Sequence, residues 1–181
     1  RFKKASRSGF KAVEFQSPYP FSAHEIKQEL DLYQLEVVLH NLPAGDWGAG
    51  ERGIACLPDR TAEFREGVAK AIEYAQILKA PQVNCLAGIA PAGADYAKLH
   101  ATFISNLKYA SAELKKKNIR LLIEPINTFD IPGFYLSKTQ QALEILRAVN
   151  SDNLFIQYDI YHAQRMEGEL VNTLEKNLSK I

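Results

Sequence analysis

Apolar runs alternate along the chain with stretches whose apolar residues recur every three or four positions, the signature of parallel βα units. The runs predict strands at Ala12 to Phe15, Val37 to Leu42, Gln82 to Leu86, Arg120 to Ile126 and Leu154 to Tyr158. Between them the helical period places Phe64, Val68, Ala71, Ala75 and Leu78 on one face, and Phe103, Leu107, Ala110 and Leu114 on another. Ala142, Ile145, Leu146 and Val149 form a third such stripe, and Leu170, Leu174, Leu178 and Ile181 a last one. Arg1 to Ser8 reads as an uncapped helical opening. Ser22 with Glu25, and Ser137 with Gln140, match the S-x-x-E/Q capping box that satisfies free amide donors where a helix starts. No linker, low-complexity tract or shift of composition divides residues 1–181, which read as one α/β domain or a piece of one. Five parallel strands fit two architectures, an open doubly wound sheet and the middle of an eight-stranded (β/α)8 barrel.

Composition narrows the class. With 46% hydrophobic and 24% charged residues the chain can bury one good core, which excludes disordered and fibrous readings. The formal charge of +1, with Lys115 to Lys117 the only basic run, gives no field for a phosphate backbone, so no nucleic acid partner is expected. No apolar segment approaches the roughly 18 residues of a membrane helix. Cys56 and Cys85 suit neither a disulfide framework nor a CxxC site and read as reduced thiols, which places the protein in the cytoplasm. The chain opens at Arg1 and its single methionine is Met166, so a longer protein, incomplete here at both ends, is expected.

The candidate chemistry sits where strands end. In LLIEPINTFDIPGFY, Glu124 interrupts an apolar run and Pro125 keeps the chain extended there. A carboxylate in such a strand costs several kcal/mol if buried unpaired, so it needs a cation, a metal or a proton. Asp159 repeats the arrangement one βα unit later in LFIQYDIYH. His162 follows three residues on, and the chain must turn for the two to converge. His24 and His100 read as ordinary helix residues and His40 as a core histidine. The segment Asn41 to Arg60 is long and glycine-rich for a βα connection, as loops that cover a site are. It lacks the GK[ST] ending of a phosphate loop. Its Arg52 is either a clamp for a substrate carboxylate or a surface arginine. A second glycine-containing loop, CLAGIAPAG, adds to the picture of a covered pocket.

Together VEFQSPYPFS, HNLPAGDWGAGERGIACLPDR, VNCLAG, LLIEPINTFDIPGFYL and IQYDIYHAQRMEGEL resemble the hydroxypyruvate isomerase family of the xylose isomerase-like barrel superfamily, over essentially the whole chain. The resemblance implies a (β/α)8 TIM barrel of which this chain supplies strands 2 to 6 and their helices. It implies that Glu124 is a catalytic glutamate that also binds a divalent metal and that Asp159 is a metal ligand; His162 and Arg52 are expected, from their own places in the sequence, to bind substrate. The expected reaction interconverts hydroxypyruvate and tartronate semialdehyde through an enediolate, a step of glyoxylate metabolism. An oxygen-rich ligand set without thiolates favours magnesium or manganese. The family also expects a first strand before these residues, and after them a metal-binding glutamine and a second catalytic glutamate, so activity of the 181 residues alone is in question. A homo-oligomer is compatible with all of this. Three alternatives stay open: an isomerase of another small 2-keto sugar acid such as 2-oxo-tetronate, a non-catalytic carbohydrate-binding remnant, and a metal-dependent abasic-site endonuclease. The last needs several strand-end histidines, and NCLAG offers none.

Overall fold

The computed structural model describes all 181 residues. Helix α1 (Phe2–Arg7) leads into strand β1 (Ala12–Phe15), followed by α2 (Ala23–Leu32), β2 (Glu36–Asn41), α3 (Thr61–Leu78), β3 (Gln82–Cys85) and α4 (Tyr96–Lys115). After these come β4 (Arg120–Ile123), α5 (Thr139–Val149), β5 (Leu154–Ile156), α6 (Ile160–Met166) and α7 (Leu170–Asn177). All neighbouring strands pair in parallel, and their order in the sheet is their order in the chain, β1-β2-β3-β4-β5. A doubly wound sheet reverses its strand order at a switch point, and this one does not; successive addition on one side is how a barrel is built. The five strands and their helices form a partial TIM barrel.

The helices cover one face of the sheet with the predicted stripes: Phe64, Val68, Ala71, Ala75 and Leu78 of α3 are buried, as are Phe103, Leu107, Ala110 and Leu114 of α4 and Ala142, Ile145, Leu146 and Val149 of α5. They meet Val83 and Cys85 of β3, Leu121 and Ile123 of β4, and Leu154 and Ile156 of β5 in one apolar core. Strand alternation turns the intervening residues to the other, inner face. Register does the rest: Asn41 pairs with Asn84, Asn84 with Leu122, and Leu122 with Phe155. In β2 the register slips, because Val13 pairs with Val37 but Glu14 with Leu39, leaving Val38 as an extra residue. That bulge resets the alternation. It sends His40 to the helix side, and Leu39 and Asn41 to the inner cavity.

Strand ends, one helix cap and the last helical stripe differ from expectation. The strands expected to reach Ile126 and Tyr158 stop at Ile123 and Ile156. Pro125 has no N–H to continue the ladder, and the Ile126 N–H turns instead to the Leu136 carbonyl at 3.0 Å. The capping box at Ser22 holds, with the Ser22 N–H donating to Glu25 at 3.2 Å. The one at Ser137 does not: α5 starts later, at Thr139, so it is Gln141, not Gln140, that reaches back to the Ser137 N–H at 3.1 Å. The last stripe is not buried, since α7 has no buried residue and Leu178 is exposed in a 3-10 turn beyond it. Apolar periodicity marks a face but does not supply the surface that would cover it.

Candidate active site

The carboxyl ends of β4 and β5 lie side by side, and the chain departs from both in irregular backbone that is free to aim side chains. Glu124 is the first residue past β4, on the inner face two residues beyond Leu122, and is buried. One of its oxygens accepts the Asn84 side-chain amide at 2.8 Å, and that same amide donates to the Asn41 side chain at 3.2 Å. Two neighbouring strands thus hold the carboxylate in place. Burial pushes the Glu124 carboxyl up to about 7; the Asn84 hydrogen bond opposes this, while the charges of Asp159 and Glu14 add to it. A carboxyl poised there can both take and return a proton near neutrality.

Beyond β5 the chain turns into α6, and Asp159 is the residue that caps it. Its carboxylate accepts the backbone N–H groups of Tyr161 at 2.7 Å and His162 at 3.2 Å. That turn is the one Asp159 and His162 needed in order to converge. Ligand atoms of Glu124, Asp159 and His162 all lie within 4.8 Å of one another. The three line one cavity of about 260 Å³ together with Glu14, Asn41, Trp47 and Gln157. Arg52 is not brought to that wall. Its guanidinium lies 3.9 Å from the centre of the Trp47 ring and donates to the carbonyls of Trp47 at 3.1 Å and Glu51 at 2.7 Å. It therefore supports the indole that does face the cavity.

His40 is a core residue, as expected. Its Nδ1 lies 3.1 Å from the Asn41 carbonyl and 3.3 Å from the Tyr19 hydroxyl, and burial lowers its pKa. His24 is exposed on α2, and His100, on α4, lies 3.2 Å from the Tyr135 hydroxyl. Cys56 and Cys85 are free and buried, and burial raises both thiols.

The loops over the site fasten to one another through backbone. Gly53 bridges Ala87, the Cys56 N–H donates to the Ala87 carbonyl at 2.8 Å, Ile89 bridges Phe134, and the Tyr135 N–H donates to Gly88 at 2.9 Å. Inside the first loop, Arg60 grips Glu51 at 2.5 Å, and Glu51 accepts the Asp46 N–H at 2.5 Å. Trp47 is carried on this braced frame.

Several cavity residues escaped the reading of the sequence. Glu14, in AVEF, carries the same signal as Glu124, a charge inside an apolar strand, and could have been found. Asn41, Asn84 and Gln157 are uncharged amides near strand ends, and nothing in their type separates a cavity residue from a turn residue.

A family model described as a xylose isomerase-like TIM barrel matches residues 2–181. The chain is similar to the hydroxypyruvate isomerase of Escherichia coli (strain K12), 56% identical over 181 residues that are all of this chain and 70% of that protein. It is similar, at 40% identity with the same coverage of both, to the 2-oxo-tetronate isomerase of Cupriavidus necator. Among solved structures, that of an AP endonuclease, family 2, from Brucella melitensis superposes with a TM-score of 0.97 at 40% identity, over all of this chain and 70% of that one.

Proposed function

The chain belongs to the xylose isomerase-like TIM-barrel family, and from there we propose that it is a hydroxypyruvate isomerase, interconverting hydroxypyruvate and tartronate semialdehyde. The similarity to an isomerase of that name extends over the full chain at 56% identity. The observation that carries the chemistry is Glu124: a buried carboxylate, fixed by Asn84, whose proton affinity burial brings near neutral pH.

The two substrates differ by the position of a carbonyl. A proton leaves C3 of hydroxypyruvate, the C2–C3 double bond forms, and the carbonyl electron pair moves to the C2 oxygen, giving an enediolate. Return of a proton to C2 and passage of the proton on the C3 oxygen to the C2 oxygen complete the aldehyde and leave a hydroxyl on C2. Glu124 is the base that takes the C3 proton; desolvation raises its proton affinity toward that step, and a cation bound beside it would lower that affinity again. His162, which converges on the same point, binds substrate beside Glu124.

Glu124 and Asp159 would hold a divalent cation, magnesium or manganese. The donor set fits one: two carboxylates converge and repel, and the side-chain oxygen of Gln157 on the same wall is buried without a partner. None of the lining residues is lysine or arginine, so an anionic keto acid finds no side-chain cation there. Such a cation would stabilise negative charge on the enediolate oxygen. A small-molecule substrate rather than a nucleic acid is favoured by the cavity's size and acidic lining. No helix is long and apolar enough to cross a membrane.

Turnover of hydroxypyruvate and of 2-oxo-tetronate, compared as kcat/KM, tests the reading. Hydroxypyruvate is expected to be preferred by at least about tenfold, roughly 1.4 kcal/mol in the barrier. Preference for the four-carbon acid would transfer the assignment to that isomerase.

A further inference from the structure

A histidine beside a developing oxyanion helps only through the ring nitrogen that carries a proton. In His162 the surroundings make that choice. Its Nδ1 lies 2.7 Å from the Asn127 side-chain nitrogen, and the Asn127 backbone N–H points at the same ring atom from 3.4 Å. The amide cannot be turned to offer oxygen instead. Its Oδ1 already accepts the backbone N–H groups of Phe129 at 3.1 Å and Asp130 at 2.9 Å, and its nitrogen also donates to the Asp130 carboxylate at 2.9 Å. The backbone N–H has no second orientation at all. Asn127 is fully buried, so water does not replace any of these partners. A proton on Nδ1 would face two donors and no acceptor.

We infer that Asn127 is a positioning residue that holds His162 in its Nε2–H tautomer, so that His162 offers the cavity a hydrogen-bond donor and not a metal-binding lone pair. Of the three groups that converge, the two carboxylates are then left to share the cation, and His162 donates to the substrate oxygen as charge builds on it. The hydrogen bonds come from a loop that is itself anchored. Asp130, tied to Asn127, also accepts the Tyr161 hydroxyl at 2.6 Å, which links the end of β4 to the first turn of α6. The catalytic consequence rests on the isomerase reading; the tautomer does not.

Long-range proton–nitrogen NMR of the 15N-labelled protein tests this, with divalent ions removed and the pH well above the ordinary histidine range. The parent is expected to show His162 with a bare Nδ1 and a protonated Nε2. Asn127→Asp places an acceptor where the amide donated, and is expected to move the proton to Nδ1. It should also lower kcat by about tenfold or more while KM stays within about threefold, since the donor matters most in the transition state. A parent spectrum with the proton on Nδ1 overturns the inference, and needs no variant to fold. An inverted Asn127→Asp ring with unchanged kcat overturns the catalytic role. If the isomerase reading itself is wrong, the parent shows no turnover while its His162 spectrum is still as expected.

Discussion

Because burial raises the Glu124 carboxyl to about 7 from an ordinary value of 4.5, the folded chain keeps this proton over a pH range in which the unfolded chain has released it. Stability from this group therefore falls as pH rises from about 4.5 to about 7, and levels off above that. The loss is on the order of 3 kcal/mol. Glu124→Gln keeps the shape and can still accept the Asn84 amide, but has no charge to bury. In chelator it is expected to be more stable than the parent at pH 8 by up to about 3 kcal/mol, with the gap closing below pH 4.5. Urea titrations at the two pH values check this, and a gap that ignores pH would contradict it. Asp159 separates its two roles differently. Asparagine caps a helix about as well as aspartate, so Asp159→Asn should leave the start of α6 intact while weakening magnesium or manganese binding by about tenfold or more. Calorimetry showing unchanged affinity would remove Asp159 as a ligand. Both carboxylates were legible because a charge in an apolar run demands a reason. Asn84 and Asn127 were not, since a neutral amide in the same place demands none until its partners are seen. Arg52 reads in the sequence either as a clamp for an anion or as a surface arginine, and in the structure its partners are the loop's own carbonyls and an indole.

The loop between β2 and α3 was legible as a cover from its length and glycines, but its fastening was not, because backbone pairing leaves no mark on residue type. Gly53 shows what the fastening requires. Its φ is +108°, and a Cβ there would lie 2.3 Å from the Leu86 carbonyl oxygen, in the bridge that joins two loops. Gly50, at φ +94°, has open space around it. Gly53→Ala is therefore expected to destabilise the protein by about 2 kcal/mol or more, and Gly50→Ala, with backbone strain alone, by about 1 kcal/mol. Equal losses in urea titrations would mean that the close approach does not matter. Helix faces were read correctly for α3, α4 and α5, where a strand lies beneath each stripe. The stripe of α7 and the late start of α5 were misread because covering surfaces and exact caps are tertiary facts.

At the scale of the molecule, alternating βα units were evident in the sequence, but the choice between an open doubly wound sheet and a barrel was not. Strand order decided it, since every strand here adds beside its predecessor. That order also sets the carboxyl ends of β4 and β5 next to each other, so two carboxylates 35 residues apart in the chain can share one cavity. The central claim, that this arrangement makes Glu124 the base of a keto–aldehyde isomerisation, is tested most directly by comparing the parent with Glu124→Gln. Proton NMR follows the appearance of the aldehyde from hydroxypyruvate. The parent is expected to turn over, and the folded variant to be slower by about a hundredfold to ten-thousandfold, the usual worth of a positioned base. Turnover of the variant within about tenfold of the parent, roughly 1.4 kcal/mol in the barrier, would contradict it.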